Sequence, residues 1–304
     1  MKTVQINQYG KSDQIEINDG PLPSLQPREV MVRVHHAGVN PIDWKIREGI
    51  RTSPGIRFPI TLGQDFAGEI VGVGNKVQNF NLGDIVAGFS NGSYAEYVAA
   101  PFDKIAIVDD EVSNEAAAAL PTPGLTAYQI INEAAQVKEG QIVLIHGASG
   151  SVGALAVQFA HAKGAEVIAN GSEHDAEYLK NLGAHSVLDH KKDRFEDLVS
   201  GVDVVIDLVG GETARRSVKV LKENGVLVSS VGATENLVTG GKHIRTIDFF
   251  MRQDAKQLAF LLQMLKNDQL QIRVAQRFTL DEAKAAQDAS QFGHLHGKIM
   301  IMVP

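Results

Sequence analysis

At 304 residues, with 44% hydrophobic and 21% charged positions, the chain is too long for one ordinary core and points to about two soluble globular domains. It has no cysteine, which removes disulfides, thiolate zinc sites and a cysteine nucleophile. A net charge of −7 without a basic run argues against a nucleic-acid partner. No apolar run is long enough to span a membrane and MKTVQINQYG lacks the apolar core of a secretory signal, so a cytoplasmic enzyme is the expectation.

From Met1 to about Pro123 the pattern is short and β-like. EVMVRVHHAGV (29–39), DFAGEIVGVGNKV (65–77), GDIVAGF and GSYAEYV alternate or run apolar between Gly, Pro and Asn, which predicts a barrel or compact β domain. A different rhythm follows. QIVLIHG, AEVIANG, HSVLDH, VDVVIDLVGG and GVLVSSVG are continuously apolar, as strands covered on both faces must be. Helical patterns such as GALAVQFAHAKG and EHDAEYLKNLG lie between them, so the fold class is α/β with a parallel, doubly wound sheet. The last stretch has an amphipathic helix at 254–267, then QIRVAQRF, a helix at LDEAKAAQDAS, and GKIMIMVP, returning to the mixed style of the start.

The first of the buried strands breaks into Ala148-Ser149-Gly150-Ser151-Val152-Gly153, a variant of G-x-G-x-x-G with alanine in first place. Gly150 leaves room for a pyrophosphate to meet backbone N–H groups, and Gly153 lets the helix starting near Ser151 pack closely on the strand. Alanine is tolerable if the turn needs no positive φ there. At the end of the next strand, where a carboxylate would hold the ribose 2′-hydroxyl of NAD, stand Asn170, Gly171 and Ser172. That absence favours NADP, with His174, His190, Lys191 and Lys192 as sources of positive charge and Glu173 opposing if it turns inward. Ser172 equally suits a helix cap, and Lys191 and Lys192 a solvated surface.

With these motifs in hand, the sequence resembles the zinc-independent quinone oxidoreductases, the zeta-crystallin group of the medium-chain dehydrogenase/reductase superfamily. AGVNPIDWKIREG (37–49), PITLGQDFAGEIVGVGNKVQNFNLGDIV (59–86), GSYAEYV, ALPTPGLTAY, the elbow and the closing GKIM carry the resemblance in order along nearly the whole chain. It implies a GroES-like β-rich catalytic domain built from residues 1–125 and 250–304, an inserted NADP-binding Rossmann domain at 126–249, and an active site in the cleft between them. Zinc-dependent cousins place cysteine at Asn40 and Gly-His-Glu at Gly63-Gln64-Asp65, so no metal is expected.

The resemblance carries cofactor contacts onto Asn40, Asp43, Trp44, Thr126, Gly150, Ser151, Val152, Ser172, His190, Val231, Gly232 and Ala233. Some relatives have lysine at Ala176 and tyrosine at His190 for the 2′-phosphate. Asn40 also suits a turn before Pro41, Asp43 a helix cap, and Thr126 a helix-start hydroxyl. The pairs His35–His36 and His294–His296 are poor metal sites, the first because neighbours on a strand face opposite ways. Phe249 and Phe250 suit the substrate cleft, the core or a subunit interface.

The implied reaction is hydride transfer from NADPH to a quinone or α,β-unsaturated carbonyl, with Asn40 and Lys45 as candidate donors to the developing oxyanion and no evident general acid. The rival from another class is a dinucleotide-binding structural or regulatory protein with little turnover. The family further implies a homodimer with a small-molecule partner. The loops 48–58 and 234–246, rich in Gly, Ser and Thr, are expected to be mobile and to shape the pocket.

Overall fold

In the computed structural model, which describes residues 1–52, 55, 57–232, 234, 237–293 and 296–304, the chain divides into two units. One unites Met1–Thr122 with Gln253–Pro304; the other is Pro123–Arg252.

The first unit opens with β1 (Lys2–Ile6), β2 (Glu16–Asp19) and the long β3 (Glu29–Val39). In β3, Val30, Val32 and Val34 are fully buried while Arg33 between them is exposed, as the two-residue side-chain period requires. Helix α1 (Pro41–Arg47) follows at once, with Asn40 as its N-cap and proline at its first position, where the missing N–H costs nothing. Then come β4 (Ile60–Thr61), β5 (Asp65–Val73), β6 (Ile85–Phe89), β7 (Tyr97–Pro101), β8 (Ile105–Ile107) and α2 (Asn114–Ala119). Helix α3 (Pro121–Gln129) spans the division between the units.

The second unit continues with β9 (Ile142–His146), α4 (Ser151–Ala162), β10 (Glu166–Gly171), α5 (Ala176–Asn181), β11 (Ser186–Asp189), α6 (Phe195–Leu198), β12 (Val202–Asp207), α7 (Glu212–Val220), β13 (Leu221–Ser229) and β14 (Arg245–Asp248). All five neighbouring pairs are parallel, in the order β11-β10-β9-β12-β13-β14. This is the doubly wound arrangement, with its topological switch at β9. Val143, Leu144 and Ile145 are all fully buried, because helices cover both faces.

The chain returns to the first unit with α8 (Ala255–Lys266), β15 (Val274–Thr279), α9 (Ala283–Phe292) and β16 (Lys298–Met302). β16 docks antiparallel on β3, so that the last strand joins a sheet begun by the first forty residues, in the order β15-β16-β3-β5-β6-β8 with β7 also on β3.

Two elements depart from the sequence expectation. Strand β13 begins at Leu221, earlier than the apolar run GVLVSS, and the tract expected as a loop at 234–246 runs into β14. β14 has only four residues, two of them exposed, so periodicity gives no signal; its pairing with β13 defines it. Among the described residues no helix is long and apolar enough to cross a membrane.

Candidate functional site

In the second unit the elbow sits where β9 hands over to α4. The positive φ falls on Gly147, at 71°, one residue before the alanine, which is why Ala148 is tolerated. A Cβ on Gly153 would lie 2.2 Å from the Gly147 carbonyl oxygen, so only glycine allows the helix to approach this turn. At Gly150 the nearest protein atom to such a Cβ is 3.4 Å away; the space above it is open. Gly150 is the N-cap of α4 and no side chain caps it, so the first-turn N–H groups, those of Ser151 and Val152 among them, remain for an anion. Ser149 Oγ is buried without a partner beside them.

At the end of β10, Ser172 Oγ accepts from His174 N at 3.3 Å, so its own hydrogen is uncommitted. His190 Nδ1 lies 2.5 Å from the Gly171 carbonyl and must donate to it, which turns Nε2 away from the strand. Glu173 does not turn inward: it pairs with Lys192, which also lies 4.0 Å from Asp189. Thus Lys192 and Glu173 answer each other's charge locally, and β10 itself ends in Asn170 and Gly171 without a carboxylate.

Behind this edge lies a closed chain of hydrogen bonds. Ser217 Oγ donates to Thr213 O at 2.7 Å, so it can only accept from His146 Nε2 at 2.9 Å. His146 Nδ1 is then an acceptor and takes Asn170 Nδ2 at 2.9 Å. His146 is fully buried, and burial, with Arg216 adding to it, pushes its pKa down to about 3, so the ring stays neutral. Asn170 is held with Oδ1 buried and unpartnered.

Farther along the same edge, Asp207 at the end of β12 accepts from Val209 N and Gly210 N at 3.1 and 2.9 Å, and from Ser229 Oγ at 3.2 Å. Ser229 Oγ in turn accepts from Val231 N at 3.3 Å. Asp207 thereby ties together the two loops that line a groove of about 320 Å³, which contains Val231, Gly232, Val209 and Arg215. Ala233 lies outside the described residues. Asp207 was not anticipated, because an aspartate ending an apolar strand looks like any loop start.

In the first unit Asn40, Asp43 and Trp44 cluster at the start of α1. Asp43 Oδ2 accepts from Asn40 N at 2.8 Å and from Tyr94 Oη at 2.7 Å, while Oδ1 is buried without a partner. Burial raises the Asp43 pKa to about 7, with the Asp65 carboxylate adding to it, against the two hydrogen bonds and Lys298. The Tyr94 hydroxyl is pushed well above its ordinary value by burial and by Asp43. Lys298 Nζ contacts Asn40 Oδ1 and Asp65 Oδ2, the latter at 3.3 Å. Asp65 also accepts from Thr122 N and Oγ1 at 3.1 and 2.6 Å. Burial pulls the Lys298 pKa down and Asp65 opposes it. Lys298 is 1% exposed, and the only sequence signal for it is a lysine opening the final apolar strand.

Lys45 stands 5.5 Å over the Trp44 ring, and burial lowers its pKa. Thr126 is buried in the interior of α3, beyond its first turn. His35 Nδ1 pairs with Asn114 Nδ2 at 2.8 Å, while His36 Nδ1 has no partner; His294 lies outside the described residues.

Two family models match the chain: "Alcohol dehydrogenase GroES-like domain" over residues 26–110 and "Zinc-binding dehydrogenase" over 182–301. A quinone oxidoreductase of Sus scrofa is 31% identical over 281 residues, covering 86% of this chain and 85% of that protein. The structure of a quinone oxidoreductase from Coxiella burnetii superposes with TM-score 0.93 at 35% identity, over 100% of this chain and 99% of that one. That of the Escherichia coli quinone oxidoreductase complexed with NADPH gives 0.91 at 25% identity, over 99% and 100%.

The zinc in one model's description does not suit the residues present. Asn40 and Asp65 already face the Lys298 ammonium, and no group of three His, Cys, Asp or Glu suited to a metal occurs among the described residues.

Proposed function

This chain belongs to the quinone oxidoreductase family of the medium-chain dehydrogenase/reductase superfamily, and on that footing we propose that it is an NADPH-dependent oxidoreductase acting without zinc on a quinone or α,β-unsaturated carbonyl. The observation that carries the cofactor reading is the uncapped N-terminus of α4 beneath open space at Gly150. Gly150, Ser151 and Val152 hold the pyrophosphate, while Val231 and Gly232 line the groove for the nicotinamide end. Ser172 and His190 serve the 2′-phosphate, the first with an uncommitted hydroxyl hydrogen and the second through the ring edge that faces away from the strand. The relative from Escherichia coli, complexed with NADPH, supports the choice of NADP over NAD.

When bound, NADPH would supply the hydride, and a conjugated acceptor is electron-poor enough to take it without a Lewis acid. The residues contribute position and hydrogen bonds. Asn40, Asp43, Trp44 and Thr126 belong to the cofactor side, and Asn40 Nδ2, buried without a partner, is the donor left for a ligand oxygen. Purified protein is titrated with NADPH and NADH and assayed on a panel of quinones and enones. Turnover with NADPH on at least one acceptor is expected. Tight NADPH binding with no turnover on the panel would replace this reading by that of a dinucleotide-binding protein.

A further inference from the structure

The role of Lys298 follows from what an ammonium group can do. It has three donors and no acceptor, so the atom of Asn40 that meets it must be the amide oxygen. That fixes the amide plane: Nδ2 points the other way, buried and without a partner, in a residue only 3% exposed. A buried amide NH2 with no acceptor costs free energy that the resting protein does not recover, and a ligand oxygen arriving there would recover it.

The sheet is shaped to hold this ammonium. β16 lies beside β3, and β3 beside β5, with Gly38 opposite both Met300 and Asp65. A Cβ on Gly38 would lie 2.8 Å from Lys298 Cε and 2.8 Å from the Ala118 carbonyl oxygen. The missing side chain is the passage through which Lys298 reaches Asn40 and Asp65. Asp65, fixed by two bonds from Thr122, opposes the pull of burial on the Lys298 amine.

We propose that Lys298 is a positioning residue: held by Asp65, it locks the Asn40 amide so that Nδ2 donates to the carbonyl oxygen of the acceptor as charge develops there. This rests on the reading of the protein as a quinone or enone reductase. No side chain with two-sided hydrogen bonding could replace it without letting the amide flip, since a hydroxyl or a second amide accepts as readily as it donates.

The test is a double-mutant cycle. Lys298→Met is combined with Asp65→Asn, so that no lone charge is left buried; the new amide oxygen still accepts from Thr122 N, and its NH2 donates to the Thr122 hydroxyl. Alone, this pair is expected to lower kcat about tenfold with NADPH affinity changed less than twofold. Asn40→Ala lowers kcat about 100-fold, the usual loss for one oxyanion donor, and adding the pair to it lowers kcat no further. Additive losses, or full kcat in the folded Lys298→Met/Asp65→Asn protein, would overturn the proposal. Lys298→Gln, combined with the same Asp65→Asn change, accepts as readily as it donates and is expected to lose turnover as deeply as methionine does; full turnover in the folded protein counts against the assignment. If the parent protein reduces no acceptor at all, the functional reading falls by itself. The Asn40 side-chain amide signals in a ¹⁵N spectrum then decide: they shift in the Lys298→Met/Asp65→Asn variant if Lys298 holds the amide, and stay put if it does not.

Discussion

Asn40 and Asn170 are both buried asparagines at the ends of buried strands, yet the two units hold them by opposite ends. In the first unit a lysine takes the amide oxygen and leaves the donor. In the second a neutral histidine takes the amide nitrogen and leaves the acceptor. The difference lies in what the partner can offer. An ammonium only donates, whereas His146, with Nε2–H committed to Ser217, can only accept at Nδ1. Identical residue types thus present opposite chemistry, and the neighbour decides which.

The two networks also respond oppositely to pH, and this is the largest way to break the comparison. His146 has a folded pKa of about 3 against an ordinary 6.5, so its contribution is intact above pH 6.5 and is lost as pH falls toward 3. At about 1.4 kcal/mol per pH unit the loss reaches roughly 5 kcal/mol. His146→Gln should remove most of that acid-side slope; an unchanged slope in urea melts from pH 7 to 4 would refute the assignment.

Asp43 runs the other way. Its pKa of about 7 lies above the ordinary 3.8, so the folded state is favoured in acid and loses stability as pH rises from about 4 to 7, by on the order of 4 kcal/mol. The groups facing it are Asn40 N, the Tyr94 hydroxyl, Asp65 and Lys298. Asp43→Asn keeps an acceptor for Asn40 N and Tyr94, so the variant should gain on the parent steadily between these limits. Parallel pH–stability curves would show that Asp43 ionises freely.

A smaller effect separates the asparagines themselves. Asn170→Asp sets a carboxylate against the lone pair of His146 and should cost about 2 kcal/mol in chemical denaturation. Asn40→Asp meets an ammonium instead, so stability should change by less than about 1 kcal/mol while kcat collapses for want of a donor. Equal destabilisation at both sites would contradict the proposed orientations.

The smallest effect concerns the cofactor edge. Ser172→Asp places a carboxylate beside the proposed 2′-phosphate and should weaken NADPH binding about tenfold, or ~1.4 kcal/mol, with NADH little affected. Equal affinities for NADPH before and after the change would move the phosphate elsewhere.

Much of the turn between β9 and α4 was legible because it is local. Glycines, a strand and a helix within twenty residues determine the elbow, and the structure explains its alanine by moving the positive φ to Gly147. The buried centre of the first unit was legible only in part. Asn40 and Asp43 stand out in one short motif, but Lys298 and Tyr94 reach them from 258 and 51 positions away. No periodicity links residues that far apart.

The order of the elements, the parallel character of the inserted sheet and the glycine turn between β9 and α4 follow from apolar runs and glycine spacing, since those forces act between near neighbours along the chain. Tertiary structure alone decided which amide end each asparagine offers, because that depends on a donor or acceptor delivered by a strand or helix remote in sequence. It also decided that β14 exists and that β16 carries a lysine under Asn40, since edge pairing and burial are properties of the assembled sheet.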